Sequence, residues 1–310
     1  TNQFPTTIKT KTTGTDIVYR DKIIQLESIR SNISIKSLLN NRFSLTKVNI
    51  STKSLNIKNV ISFIRLFKND PKIYIAEKLI KNGFVIADIE IEFDDLGKIK
   101  NNYKVNGLVK DGKIDIFKKY NFNKINFFFN IEDKKFELID SKLSINNKFF
   151  VLPEFIINVI NDEYSVSGKI NNENISLNKN DIRKLLNIPQ VSLEIQEITF
   201  NSKNNFKFDI GKNYKISNLN IESEIYLDNL DLKSDIKLKK IFSKIKDNIL
   251  FKKHKVRASY KKNNLDISGS GDVFLQDYPD KIKYKIYKNK DNITYDAVSY
   301  THLRAHETDS

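Results

Sequence analysis

Apolar and polar residues alternate with period two along most of the chain. Val85, Ala87, Ile89, Ile91 and Phe93 alternate with Ile86, Asp88, Glu90 and Glu92. Tyr103, Val105, Gly107 and Val109 alternate with Lys104, Asn106 and Leu108. The parity recurs at Ile125, Phe127, Phe129 and Ile131, then at Phe155, Ile157 and Val159, and at Tyr164, Val166, Gly168 and Ile170. It returns at Phe206, Phe208 and Ile210, at Leu265 and Ile267, and at Ile282, Tyr284 and Ile286. Period two predicts strands with one apolar face. Polar runs between them predict turns: KDGK (110–113), NNK (146–148), NNEN (171–174), NSKNN (201–205) and KKNN (261–264). Asp111-Gly112 suits the positive φ angles of a tight hairpin.

Helical signals are few. NVISFIRLF (59–67) places Val60, Ile64 and Phe67 on one side. NDIRKLLN (180–187) opens on a capping Asn or Asp and stops before Pro189. SDIKLKKIFSKIKDNILF (234–251) reads as a basic amphipathic helix around Ile241, Ile245 and Ile249, or as strand in its first part. YKVNGLV (103–109), YSVSGKI (164–170) and LDISGSG (265–271) echo one another without a fixed period. A glycine on the apolar parity leaves room for a close neighbour or a bend.

A one-sided sheet must cover its oily face, and so few helices cannot cover so many strands. The remaining covers are a second sheet, a closed barrel, or lipid. The expected fold is mostly β: a long curved antiparallel sheet forming an open hydrophobic groove, with a few short helices. Its lining is expected from Val85, Ile89, Ile91, Phe93, Tyr103, Val105, Ile125, Phe127, Phe129, Tyr164, Val166, Phe206 and Phe208, acting collectively. A β-sandwich or adhesin-like surface protein with a dry core is the alternative. A membrane barrel suits the sequence less well, because barrels rarely carry helices like 59–67 and their strands run to about ten residues with aromatic girdles, whereas many expected here are shorter.

Charge changes this picture little. The chain has 310 residues and a net charge of +15, which fits a polyanion or an anionic membrane. Ile, Lys, Asn, Phe and Tyr share AT-rich codons, however, and coding bias accounts for an excess of lysine. The absence of cysteine excludes disulfides and thiolate chemistry. The longest apolar stretch, FFVLPEFIINVI (149–160), is too short and polar to cross a bilayer.

The segment LESIRSNISIKSLLNNRFSLTKVNISTKSLNIKNVISFIR (26–65) resembles the opening unit of AsmA-like envelope proteins, the group of AsmA, YhdP and TamB. The pattern lies in Ile33, Ile35, Leu38, Leu39, Arg42, Phe43, Leu45, Val48 and Ile50. Residues 83–114 and 269–286 are similar to the body of such proteins. The resemblance implies a periplasmic β-groove, held in the inner membrane by an N-terminal anchor, that binds phospholipid acyl chains and conducts them between envelope membranes. No cofactor and no nucleic-acid partner is expected, from the motifs and aromatic positions considered next. Residues 1–297, which start without Met and stop at the adapter-like tail described below, are expected to be a fragment truncated at both ends.

No catalytic set emerges. Asp88, Glu90, Glu92 and Asp94 share a strand face opposite the apolar residues, where a solvated face belongs. GSGD (269–272) opens no helix, so it is a poor phosphate cradle. His254 reads as an ordinary strand residue without an evident partner. Phe and Tyr, 21 and 13 in number, fall mostly at apolar parity, which favours core or groove over base stacking. In the tail VSYTHLRAHETDS (298–310), His302 and His306 lack further metal ligands. The tail resembles the translation of a transposase adapter used to prepare DNA sequencing libraries, and is set apart from the fold.

Overall fold

The computed structural model describes residues 7–300, apart from 21, 41–43, 67–70, 95–96, 101–102, 117–119, 162, 187–192, 214, 235–245, 247 and 291. The fold is mostly β, with seventeen strands and four short helices among the described residues. Every register described is antiparallel. The chain divides into two compact units, residues 1–166 and 167–310.

The first unit is a meander. β1 (Thr7–Thr13) and β2 (Asp16–Tyr19) both pair with β3 (Lys22–Ser34). β3 pairs with β4 (Leu45–Thr52), and both β4 and β5 (Leu55–Asn56) pair with β6 (Ile80–Glu92). β7 (Lys104–Ile116), β8 (Tyr120–Glu132), β9 (Lys135–Ile145) and β10 (Lys148–Ile160) follow in order. The second unit repeats the plan. β11 (Glu163–Asn178), within which the division falls, is followed by β12 (Leu193–Ile210) and β13 (Ile216–Ser234). Then come β14 (Asn248–Lys261), β15 (Asn264–Phe274), β16 (Asp280–Lys288) and β17 (Ile293–Tyr300). The sheets are open: no pairing closes either unit into a barrel among the described residues.

Two of the expected turns are hairpins. Asn146 and Asn147 join β9 to β10, with φ of 47° and 67°. Lys262 and Asn263 join β14 to β15, with φ of 50° and 64°. Three are not. KDGK lies inside β7, where Asp111 takes φ 54° and the register slips between Val109 and Gly112. NNEN lies inside β11, with Asn174 at φ 51°, and NSKNN inside β12. Asp111 and Asn174 use positive φ to make an irregularity within a strand instead of reversing the chain. In the first unit these irregularities line up across neighbours, at Asn82–Phe84 of β6, Val109–Gly112 of β7 and Asn123–Asn126 of β8. Aligned bulges add twist and bend a sheet along one line. Strands consequently run long: β6, β7 and β8 have 13 residues, β12 has 18 and β13 has 19. The argument from short strands against a membrane barrel therefore falls.

The helices are small. α1 (Ile35–Leu39) is capped by Ser34, whose Oγ accepts from the Ser37 amide at 3.2 Å. α2 (Ile57–Arg65) is capped by Asn56 through the Lys58 amide at 2.9 Å. It sets Val60 and Phe63 against the buried cluster Ile24, Leu26 and Leu55. Ile64, expected on the packed side, is exposed, and Phe67 lies outside the described residues. α3 (Pro71–Leu79) meets α2 through Glu77, which accepts from Ser62 at 2.8 Å and pairs with Arg65. The Ser62 hydrogen bond and the guanidinium hold that carboxyl below its usual range. α4 (Lys179–Leu186) is capped by Asn178, which accepts from the Asn180 and Asp181 amides at 2.9 and 3.0 Å. Of the helix expected over 234–251, Ser234 ends β13 and residues 248–251 begin β14, while most of the rest lies outside the described residues.

Candidate functional site

In the first unit, strand register turns the alternation into continuous ladders. Ile50 stands opposite Ile89, Ile89 opposite Val105, then Ile131, Phe136 and Ile157 in turn. The next ladder runs Ala87, Gly107, Phe129, Leu138 and Phe155. A third joins Leu55, Val85, Val109 and Phe127. None of these ladders carries a polar side chain. The strands join edge to edge, and α2 packs at the β3–β5–β6 end of the face.

Of the expected lining, Val85, Ile89, Val105, Phe127 and Phe129 come together here, with Ile91 opposite Val48. The Phe127 and Phe129 rings meet edge to face at 6.2 Å. Ile125 is buried behind Gly112 at the bulge. Phe93 lies just past β6, bridged to Ile99, and Tyr103 precedes β7 and is exposed. Tyr164 and Val166 open β11, where Val166 is 2% exposed. Phe206 and Phe208 belong to the second unit's sheet, stacked at 6.1 Å.

The expected role of glycine on this parity holds at two of its places. A Cβ on Gly107 would sit 2.4 Å from the Phe129 ring, and one on Gly269 would sit 2.5 Å from the Tyr284 ring. In each case the aromatic directly across the strand pair covers the glycine.

Two features of this unit escaped the alternation. β9 was missed because its apolar parity changes at Asp140, which adopts φ 50°: Phe136 and Leu138 lie on one side of it, and Leu143 and Ile145 on the other. The opposite parity is also not wholly polar. Ile86, Leu108, Phe128 and Ile139 form a ladder there, and Phe128 is 54% exposed. Nearby, Glu90 pairs with Lys47 at 2.7 Å and Glu92 with Lys100 at 3.7 Å, as a solvated face would have them. No group of metal-ligating side chains occurs among the described residues.

The second unit places polar groups on the same parity. Asn172 and Ser202 are buried, and the Asn172 amide donates to Ser202 Oγ at 2.6 Å. Asn204 donates to the same oxygen at 2.8 Å and to the Ile170 carbonyl at 2.9 Å. His254, read from sequence as partnerless, is fully buried. Its Nε2–H donates to the Asp272 carbonyl at 3.1 Å, and its ring packs against Phe251 and Tyr284 over Gly271. Burial pushes its pKa below the ordinary value of 6.5, because a charged imidazolium would lose its hydration there. Burial likewise raises the Tyr284 phenol.

A furrow of ≈ 710 Å³ crosses this unit. Its lining comes from residues 171–174 of β11 and in triplets from β12 to β16, centred on Ser202, Ile225, Val256, Gly269 and Tyr284. The residues flanking each centre line it, and those two positions away do not. The furrow therefore lies between two adjacent ladders of the polar parity, with strand backbone as its floor. Lys203, Lys255, Arg257, Lys283 and Lys285 stand along it, against Glu173 and Glu224.

Family models, curated proteins and solved structures were each compared with the chain, and nothing matches.

Proposed function

We propose that the apolar face of the first unit carries phospholipid acyl chains, as part of a longer envelope protein of the AsmA-like kind. On this reading the chain sits in the periplasm, joined to the inner membrane by an anchor beyond its ends, and acts as a conduit between membranes without catalysis. The observation that supports it is the pair of ladders Ile89–Val105–Ile131–Phe136–Ile157 and Ala87–Gly107–Phe129–Leu138–Phe155. Five strands at about 4.8 Å each give an oily strip about 19 Å across. Each acyl methylene taken from water onto such a surface contributes about 0.8 kcal/mol. Holding a lipid in this way needs area and no single essential side chain.

The test is detergent-free purification of the full chain followed by lipid mass spectrometry and vesicle-to-vesicle transfer. The wild type is expected to bring down phospholipid and to transfer it. The double variant Ile91→Asp, Phe127→Asp is expected to do neither. Lipid binding and transfer that survive both changes would sink the acyl-chain reading. A wild type that brings down no lipid would point to the dry-core structural protein.

A further inference from the structure

On the polar parity of the second unit, two cross-strand rows have an unusual composition. Lys255 of β14 stands opposite Ser270 of β15, which stands opposite Lys283 of β16. The adjacent row is Arg257, Ser268 and Lys285. Neighbouring strands lie about 4.8 Å apart, so cations on β14 face cations on β16 across about 10 Å, with two hydroxyls between them. An ordinary solvated sheet pairs acid with base across strands. Among the described residues the one carboxylate in an ion pair with the group is Glu224, 3.8 Å from Arg257 Nε, and both side chains are largely exposed. Among the described residues Lys255, Lys283 and Lys285 have no salt-bridge partner, although Asp296 stands opposite Lys285 in register. Four cations gathered on six positions raise the local positive potential and favour a multivalent anion that joins them.

We propose that this quartet, with Ser268 and Ser270, binds a phosphate group in the furrow. Arg257 offers a planar fork of donors, the three lysines offer mobile charged donors, and the two hydroxyls donate between them. A phosphate ester supplies the matching set of charged acceptor oxygens. The furrow's ≈ 710 Å³ accommodates the phosphate and its substituent. The inference does not rest on the acyl-chain reading, because its residues lie on the other strand parity and in the other unit.

The experiment uses the full chain with two probes: soluble glycerol 3-phosphate, and vesicles of phosphatidylglycerol set against vesicles of phosphatidylcholine. The pair Lys283→Gln, Lys285→Gln is compared with an equal loss of charge outside the furrow, Lys261→Gln, Lys290→Gln. Phosphatidylglycerol binding by the furrow pair is expected to weaken about twenty-fivefold, at about fivefold per lysine, and the control pair is expected to fall much less. Binding of glycerol 3-phosphate would assign the site to a free phosphate ester. Binding confined to vesicles would assign it to a lipid headgroup. If the variants misfold, the wild type still decides, because either bound probe must shift the Ser268 and Ser270 amide resonances. Equal losses in the two pairs, unmoved Ser268 and Ser270 resonances, or no binding of either probe would overturn the proposal.

Discussion

The two units use one strand grammar to build different surfaces. In the first, the ladders through Ile89 and Phe129 carry no polar side chain from β6 to β10, and the buried hydroxyls of that parity, Thr52 and Ser141, lie beside them. In the second, the same parity is interrupted by Asn172, Ser202 and Asn204, whose two amides share the Ser202 oxygen, and by His254. The first unit's opposite parity carries an exposed apolar ladder, whereas the second unit's carries a row of cations along a furrow. Alternation thus says where side chains go. The chemistry of a face depends on which residues the register places side by side. An unbroken apolar ladder suits a ligand without polar atoms. A face whose amides and hydroxyls are mutually engaged suits a fixed core.

The largest test of this contrast is Gly107→Val. Its Cβ would meet the Phe129 ring at 2.4 Å and the Ile86 carbonyl oxygen at 2.5 Å, and backbone does not yield as a flexible side chain does. Overpacking is expected to cost about 3 kcal/mol, read as a lower denaturant midpoint for the first unit. A cost near zero would mean that Phe129 does not lie over Gly107.

Ser202→Ala should follow. It removes the acceptor of the buried Asn172 amide, while Asn204 keeps the Ile170 carbonyl, and the stranded buried donor is expected to cost about 2 kcal/mol. An unchanged midpoint would show that the polar patch is solvated and that the two faces are more alike than their contacts indicate.

His254 sharpens the contrast through pH. Its folded pKa lies below the ordinary 6.5, so below pH 6.5 the unfolded chain binds a proton that the folded chain resists. Stability of the second unit is therefore expected to be flat above neutrality and to fall as pH drops through 6.5 toward the depressed folded value. Thermal midpoints of the wild type and His254→Phe between pH 5 and pH 8 would measure it, with the smaller acid loss in the variant. Identical slopes would remove His254 from the account.

The smallest effect belongs to the solvated parity. Glu90→Gln breaks a half-exposed pair with Lys47 and should cost about 0.5 kcal/mol or less. A loss several times larger would make that face structural.

Much of the fold was legible because alternation is a local property. The strands through Val85–Ile91, Val105–Val109, Ile125–Ile131 and Phe206–Ile210 follow from it, as do the helices at 57–65 and 179–186 to within two residues. Bulges were not legible as bulges. Asp111 and Asn174 have the left-handed preference that serves equally in a hairpin, and only an adjacent strand pairing past them decides between the two. Asp140 hid β9 for the same reason, since one extra residue shifts the apolar parity. The furrow was invisible for a different one. Lys255, Arg257, Lys283 and Lys285 are unremarkable along the chain and meet only through β15.

By itself, then, the order of residues determined strand content, the two-faced character of each strand, and the room left on the apolar parity at Gly107 and Gly269. Those follow from side-chain direction and backbone preference, which act over a few residues. Tertiary structure alone decided which polar clusters turn and which bulge, that His254 is buried, and that four cations share one furrow. Each of those depends on partners distant in sequence, and cross-strand register is where such partners are chosen.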